Sequence, residues 1–155
     1  MPNKKFSDLN FKDLIFVLLY TIILSVAFGI ILGYADFYLI SSVNFSLGGF
    51  LYWIIAIYIG TTIRKSITEP HIVYTIIAGI GMVFSFAILN TVPIFLLNGI
   101  SLQDYEIFLD ITYYFHILIL TLNPFNGIGM GFLSYIITIL IFGVGTYLGI
   151  QKTLH

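Results

Sequence analysis

Long apolar runs separated by short polar breaks dominate this chain. Charge-free runs cover Leu14–Tyr34 and Phe37–Ile63, and two further apolar stretches follow them. Each run is close to the ~20 residues that a helix needs to cross a bilayer. The first run is also longer than the ~7–15 apolar residues of a signal peptide, so we expect it to remain as a membrane helix. The pattern predicts transmembrane helices over about 14–34, 45–63, 71–89 and 129–150, with Asn90 and Pro93 either ending the third helix or kinking it.

Short polar segments predict where these helices end. The run after Asp36 is longer than one span needs, so its Asp36–Asn44 part is predicted to be an external loop or an interfacial turn, with the second helix starting near Phe45. Arg64–Glu69 forms a polar hinge, and Pro70 suits the first turn of the following helix because its missing N–H has no helical partner there. A short hinge makes the second and third helices antiparallel neighbours.

The segment between the third and last apolar runs is harder to assign. Ser101 and Asp104 have the spacing of a capping box, which predicts a helix from about 102 to 122. The Asn123–Gly127 segment ends it with turn-forming residues. This helix is long enough to span, but its acidic residues are expensive within a bilayer. It is therefore predicted to lie at the interface or to re-enter the bilayer, with a full crossing as the alternative.

Composition places the chain among all-α integral membrane proteins. Hydrophobic residues make up 59% of the 155 residues, charged residues only 8%, and the mean hydropathy is +1.06. An ordinary globular domain has ~25% charged residues, so this composition predicts a membrane protein. The length allows about four or five spans with short connections, so we expect a single transmembrane helical domain over residues 1–155. The net charge of −1 argues against a nucleic-acid partner, because binding phosphates needs a concentrated basic face.

The six basic residues predict an orientation because membrane proteins keep Lys and Arg mainly in cytoplasmic segments. A bundle of four transmembrane helices plus one interfacial or re-entrant helix puts every basic residue in the cytoplasm, together with both termini. Five transmembrane helices would instead place Lys152 outside, so the four-span arrangement is favoured. Arg64 and Lys65 are interpreted as topology determinants, with anionic lipid headgroups as a second possible role. The basic residues are Lys4, Lys5, Lys12, Arg64, Lys65 and Lys152.

Small residues recur four positions apart in the predicted spans. Such rows let helix backbones approach closely where lipid removes the hydrophobic driving force between helices. They are predicted to pack helices within the chain, or else to form an interface with a second copy or a partner protein. The first span has the longest row and is the preferred docking face. The candidate packing residues are Ser25, Gly29, Gly33, Ala56, Gly60, Gly145 and Gly149.

No enzyme signature is present in the sequence. It lacks a His-Glu-x-x-His zinc helix, a Gly-x-Ser-x-Gly nucleophile turn and a phosphate-binding loop. The absence of cysteine also excludes disulfides, thiolate nucleophiles and cysteine-bound zinc. We therefore expect no catalytic residues, no cofactor and no metal site.

One polar cluster lies on the predicted helix over 102–122. Asp110, Tyr113, Tyr114 and His116 could line a site at the outer mouth of the bundle, although a spacing of six keeps Asp110 and His116 on different faces. The alternative is an amphipathic helix that holds its tyrosines at the level of the lipid headgroups. A site at this position would favour a small oligomeric transporter or channel.

Two resemblances bear on function. The stretch Gly60-Thr-Thr-Ile-Arg64 resembles a pattern in small bacterial membrane proteins, which implies a bacterial cell membrane but no activity. In size and span number the chain resembles the small multidrug exporters, which have a carboxylate at the centre of the first span; Leu14–Tyr34 has none. The expected function is non-enzymatic contact with itself or with a membrane-protein partner, as in an accessory subunit or an immunity-like factor, with the lipid bilayer as its surroundings.

Overall fold

The computed structural model describes residues 10–100, 103–123, 125 and 130–154. The described part of the chain is helical and contains no strand. Its six α-helices are α1 (Phe11–Val43), α2 (Gly48–Ser66), α3 (Ile72–Leu97), α4 (Tyr105–Leu109), α5 (Ile111–Leu122) and α6 (Met130–Leu154).

The first helix is longer than the sequence indicates. Helix α1 continues past Tyr34 to Val43, so the prediction of an external loop or an interfacial turn over Asp36–Asn44 is wrong. The helix can include Asp36 because this side chain is buried against the start of α2 instead of lying in water. Asn44 ends the helix in the left-handed conformation, with φ of 53°, and its N–H donates to the carbonyl of Ile40.

The third helix continues beyond Leu89, because α3 runs through Pro93 to Leu97. Proline removes one helical N–H donor, but neighbouring side chains add hydrogen bonds to backbone carbonyls one turn earlier. Asn90 donates to one such carbonyl at 2.8 Å and Thr91 donates to the next at 2.7 Å. These bonds reinforce the turn before Pro93, whereas the carbonyl that loses its helical donor is that of Leu89.

The predicted single helix over 102–122 is two helices, so the prediction of a continuous helix is wrong. Asp110 has an extended backbone, with ψ of 99°, and separates α4 from α5. Its carboxylate accepts the N–H of Thr112 and so caps α5. At 12 residues and 1.5 Å per residue, α5 is about 18 Å long, which is too short to cross a bilayer. Ser101 and Leu102 lie outside the described residues.

Two helix pairs run parallel. Gly81 of α3 lies beside Ser25 of α1, and further along both helices Val92 lies beside Gly33, so α1 and α3 point the same way. The second pair is α2 and α6. The contacts that fix its direction are Gly49 with Ile141, Trp53 with Gly145 and Gly60 with Gly149.

These directions sort the helix ends by charge. Helix α2 runs antiparallel to α1 and ends beside its start, where Asp13 binds Thr68. The first turn of α1 and the last turns of α2 and α6 therefore lie at one end of the bundle, and they contain every described Lys and Arg: Lys12, Arg64, Lys65 and Lys152. Helix α3 ends, and α6 begins, at the opposite end. The α4–α5 segment therefore lies between two helix ends at the same end of the bundle.

Among the described helices, three are long and apolar enough to cross a membrane: α1, α3 and the Phe132–Leu154 part of α6. Helix α2 is not among them, because its 19 residues are less apolar and end with Arg64 and Lys65. It nevertheless lies at the centre of the packed core. Its fully buried side chains are Tyr52, Ile55, Ala56, Ile59 and Ile63.

Glycines make the closest contacts between the paired helices. A Cβ atom on Gly29 would lie 2.8 Å from side-chain atoms of Ile88, and one on Gly145 would lie 2.6 Å from Cδ1 of Trp53. Gly60 of α2 lies directly against the backbone carbonyl of Gly149. Real Cβ contacts are essentially never this short, so any larger residue would push the helices apart.

We expect Gly60→Ala to lower the free energy of unfolding by about 1–3 kcal/mol, because the added methyl group meets rigid backbone of α6. Gly143→Ala is the matched control, since a Cβ there has no atom within 4 Å. Unfolding titrations in SDS on purified protein measure both effects. Equal stability of the two variants would contradict the α2–α6 contact.

Candidate functional site

The predicted polar cluster begins with Asp110, which acts as the cap of α5. Its Oδ1 accepts both the N–H of Thr112, at 2.9 Å, and the hydroxyl of the same residue. The side-chain bond from Thr112, followed by the backbone bond, holds the pKa of the Asp110 carboxyl below its ordinary value. This carboxylate is fully exposed, and its described contacts hold the start of α5 in place.

The other members of the cluster point in different directions. Tyr114 is buried and donates from its hydroxyl to the carbonyl of Phe108 at 2.7 Å. Tyr113 remains half exposed and places its ring edge-on against Phe95, with 5.9 Å between the ring centres. His116 is exposed. The four side chains therefore do not gather around one described cavity, and only Tyr114 lines the groove described next.

A groove of about 810 Å³ lies between α3, α5 and α6. It exists because α5 is short and covers only part of α3. Gly79 adds no side chain to the groove, and a Cβ atom there would have only Ile150 within 4 Å, at 3.7 Å. The lining includes Ile76 and Ile80 of α3, Phe115 and Leu118 of α5, and Ile150 of α6.

The few polar atoms along this groove already have partners. The hydroxyl of Thr146 donates to the carbonyl of Phe142 at 2.8 Å and lies 2.5 Å from the hydroxyl of Tyr52. The hydroxyl of Thr75 accepts a bond from Thr153 at 3.2 Å. The groove therefore offers an apolar wall, which suits a hydrocarbon group better than a polar solute.

A buried carboxylate at the end of the bundle that lacks basic residues joins α1 to α2. Asp36 is 4% exposed, although an acid next to an apolar run is normally solvated. One carboxylate oxygen accepts the N–H of Leu47 at 2.7 Å, and the other accepts the hydroxyl of Ser46 at 2.8 Å. The Ser46 hydroxyl in turn accepts the N–H of Gly48 at 3.1 Å. Asp36 thus satisfies N–H groups at the start of α2 from a neighbouring helix.

A second buried carboxylate lies at the basic end of the bundle. Asp13 is 5% exposed and accepts both the N–H of Thr68, at 3.0 Å, and its hydroxyl, at 2.7 Å. These bonds fix the hinge between α2 and α3. Beside them, Tyr74 donates from its hydroxyl to the carbonyl of Asn10 at 3.2 Å, and His71 caps α3 through Nδ1, which accepts the N–H of Val73.

The two basic residues assigned to topology lie in the last turn of α2. Lys65 is exposed, whereas Arg64 is partly buried, and its Nε atom has no hydrogen-bond partner among the described residues. Cations at this position interact favourably with the carbonyl end of the helix dipole.

The burial of Asp13 and Asp36 was not predicted from the sequence. Their spacing could have indicated it, because the two residues lie at the two ends of the apolar part of α1. At 1.5 Å per residue they are about 34 Å apart along the helix axis, close to the ~30 Å thickness of the hydrocarbon region. An acid at each end of an apolar run is a candidate for holding the neighbouring helix ends.

We expect Asp36→Ala to lower the free energy of unfolding by about 1–3 kcal/mol, because Leu47 and Ser46 lose their buried acceptor. Glu106→Ala is the control, since Glu106 is exposed in the first turn of α4. Asp36→Asn keeps one acceptor oxygen and should give an intermediate loss. The same SDS titrations measure all three variants, and an Asp36→Ala protein as stable as the control would refute the role of this carboxylate.

The comparisons with known proteins add no name to this arrangement. No protein-family model matches the chain, and neither the curated proteins nor the solved structures contain a match.

Proposed function

We propose that the chain is a bacterial cell-membrane protein with four transmembrane helices, α1, α2, α3 and α6, and a re-entrant α4–α5 segment. Two observations support four spans. Helix α2 is as long as a span needs to be and lies between α1, α3 and α6, which cover its polar groups. The α4–α5 segment lies between two helix ends at one end of the bundle.

The charge distribution supports an orientation with the basic end in the cytoplasm. The four described basic residues lie there, whereas the opposite end has Asp36 and the three described acids that follow α3, which are Asp104, Glu106 and Asp110. Both termini are then cytoplasmic.

Substituted-cysteine labelling tests this topology, and the cysteine-free chain provides a clean background. We expect a membrane-impermeant maleimide to label Glu106→Cys in intact cells, and to label Lys65→Cys and Lys152→Cys only after lysis. Labelling of Lys152→Cys in intact cells would instead support five spans.

For the function itself, we propose non-enzymatic contact between transmembrane helices, the role of an accessory subunit or an immunity-like factor. The exposure of α6 is the observation that carries this proposal. In its most apolar stretch only 11% of the residues are buried, against 56% in α3. The small-residue rows of α1, α2 and α6 already face other helices of the same chain, so a partner helix would use a different surface.

The outer face of α6 has a spacing suited to a helix pair. Large apolar side chains alternate at intervals of four and three residues, a pattern close to the 3.5-residue period of left-handed helix pairs. Ser134 and Gly143 are exposed beside this row and leave room for close approach. The exposed row is Leu133, Ile137, Leu140, Val144 and Tyr147.

A second copy of the chain is the first partner to test. Two copies insert with the same orientation, so their α6 rows would meet as a parallel and symmetric pair. Such a contact brings each residue of the row close to its own counterpart.

Oxidative cross-linking of single-cysteine variants in native membranes is the decisive experiment. We expect Leu140→Cys to form a covalent dimer, whereas Ile23→Cys, on the exposed face of α1, remains a monomer. A cross-link from Leu140→Cys to a different protein would identify a hetero-partner at the same face. Equal and low cross-linking of both variants, together with a monomeric mass in detergent, would refute the proposed contact.

A further inference from the structure

We propose that the groove between α3, α5 and α6 binds one acyl chain of an anionic phospholipid, taken from the leaflet at the basic end of the bundle. This proposal requires the chain to lie in a bilayer, but it does not require α6 to pair with another helix. The polarity of the groove, its position and the charge at its end each support this occupant.

The polarity of the groove selects a hydrocarbon occupant. Its walls are isoleucine, valine, phenylalanine, leucine and alanine side chains, and the hydroxyls of Thr75 and Thr146 are engaged within the protein. Water needs several polar partners to remain in a cavity, and this lining offers almost none. A methylene chain needs no such partners and gains from close packing along an apolar wall.

The position of the groove suits a lipid tail that enters from one side. Its lining starts at Ile72, in the first turn of α3, and continues to Ala87. These residues span about 22 Å along the helix, which exceeds the ~15 Å hydrocarbon depth of one leaflet. Tyr114 and Ile111 of α5 line the far end of the groove.

Gly79 gives the groove its depth. Large side chains of α3 on either side of it, Ile76 and Ile80, are more than half exposed and form rims, whereas Gly79 leaves an empty floor between them. A Cβ atom there would only touch Ile150, so the backbone of α3 has room for a side chain that would then occupy the groove.

The positive charge at the open end of the groove favours an anionic headgroup. The groove opens at the end of the bundle where Lys152 follows Ile150 within one turn, and where Arg64 and Lys65 end α2. The described acids at this end are Glu69 and Asp13, and Asp13 is buried against Thr68. This end therefore has four described basic residues and two described acids, and its net positive charge complements an anionic headgroup.

Native mass spectrometry of purified protein with added lipid tests the inference. We expect the protein to retain one phosphatidylglycerol at concentrations where phosphatidylcholine is lost. Gly79→Leu should lower phosphatidylglycerol retention at least fivefold because the leucine side chain fills the floor. Ile23→Phe is the control for added bulk, since Ile23 lies on the exposed face of α1 and does not line the groove.

Three further variants make the result independent of one substitution. Val83→Phe fills the groove from another lining position, and Gly79→Ala adds only a methyl group at an ordinary contact distance, so it should retain lipid. Lys65→Gln combined with Lys152→Gln should reduce the preference for phosphatidylglycerol over phosphatidylcholine by about fivefold for each lysine.

Three outcomes would overturn the proposal. They are unchanged retention in both Gly79→Leu and Val83→Phe, equal retention of the two lipids by the unmodified protein, and disulfide cross-linking of Ile76→Cys to a second copy, which would place a helix in the groove. Cross-linking at Leu140→Cys is measured in the same Gly79→Leu background. Its persistence separates failure of the lipid site from failure of the α6 contact.

Discussion

Direct contact between helix backbones is the interaction on which the rest of this structure depends. Inside a bilayer, lipid tails are as apolar as the side chains, so helices gain little from hiding apolar surface and associate through close packing. The pairs α1 with α3 and α2 with α6 achieve this with glycine at the crossing points, most closely where Gly60 meets Gly149. Because these two pairs bury most of the described glycines, the remaining surfaces of α3 and α6 consist mainly of large side chains, with Gly79 at the floor of the groove and Gly143 beside the exposed row of α6.

Hydrogen bonds at the two ends of α1 complement this packing. Asp36 satisfies the start of α2 and Asp13 satisfies the hinge that follows it, so one helix provides acceptors for both ends of its neighbour. Removing one partner of a buried hydrogen bond destabilises the protein by more than the bond itself contributes. The remaining donor or acceptor then stays buried with neither a protein partner nor water to bond to it. The two carboxylates therefore fix the position of α2 along the axis of α1. The glycine contacts fix the distance between α2 and α6.

The sequence predicted the local part of this structure better than the part that depends on distant residues. Runs of apolar residues placed α2, α3 and α6 to within a few residues at most ends, because these signals lie within the helices themselves. The length of α1 was missed, since the burial of Asp36 depends on Ser46 and Leu47 returning to it after a turn. The break at Asp110 was missed because an acid in the first turn of a helix and an acid that caps a new helix look alike in sequence. The groove could not be predicted, because it depends on where α5 stops and on which residue of α6 faces Gly79.

The position of α2 has a consequence for how the protein is made. Of the four helices that we propose as spans, α2 is the only one that its own composition does not qualify to cross a membrane. Its polar groups are satisfied by residues on both sides of it in the chain: Asp36, made before it, and the carbonyl of Ile141 and the hydroxyl of Thr146, made long after it. Until α6 has been made, Trp53 and Tyr52 of α2 lack the hydrogen-bond partners that they have in the folded chain. A chain cut short before α6 would leave the indole N–H of Trp53 without the acceptor that it has in the folded chain.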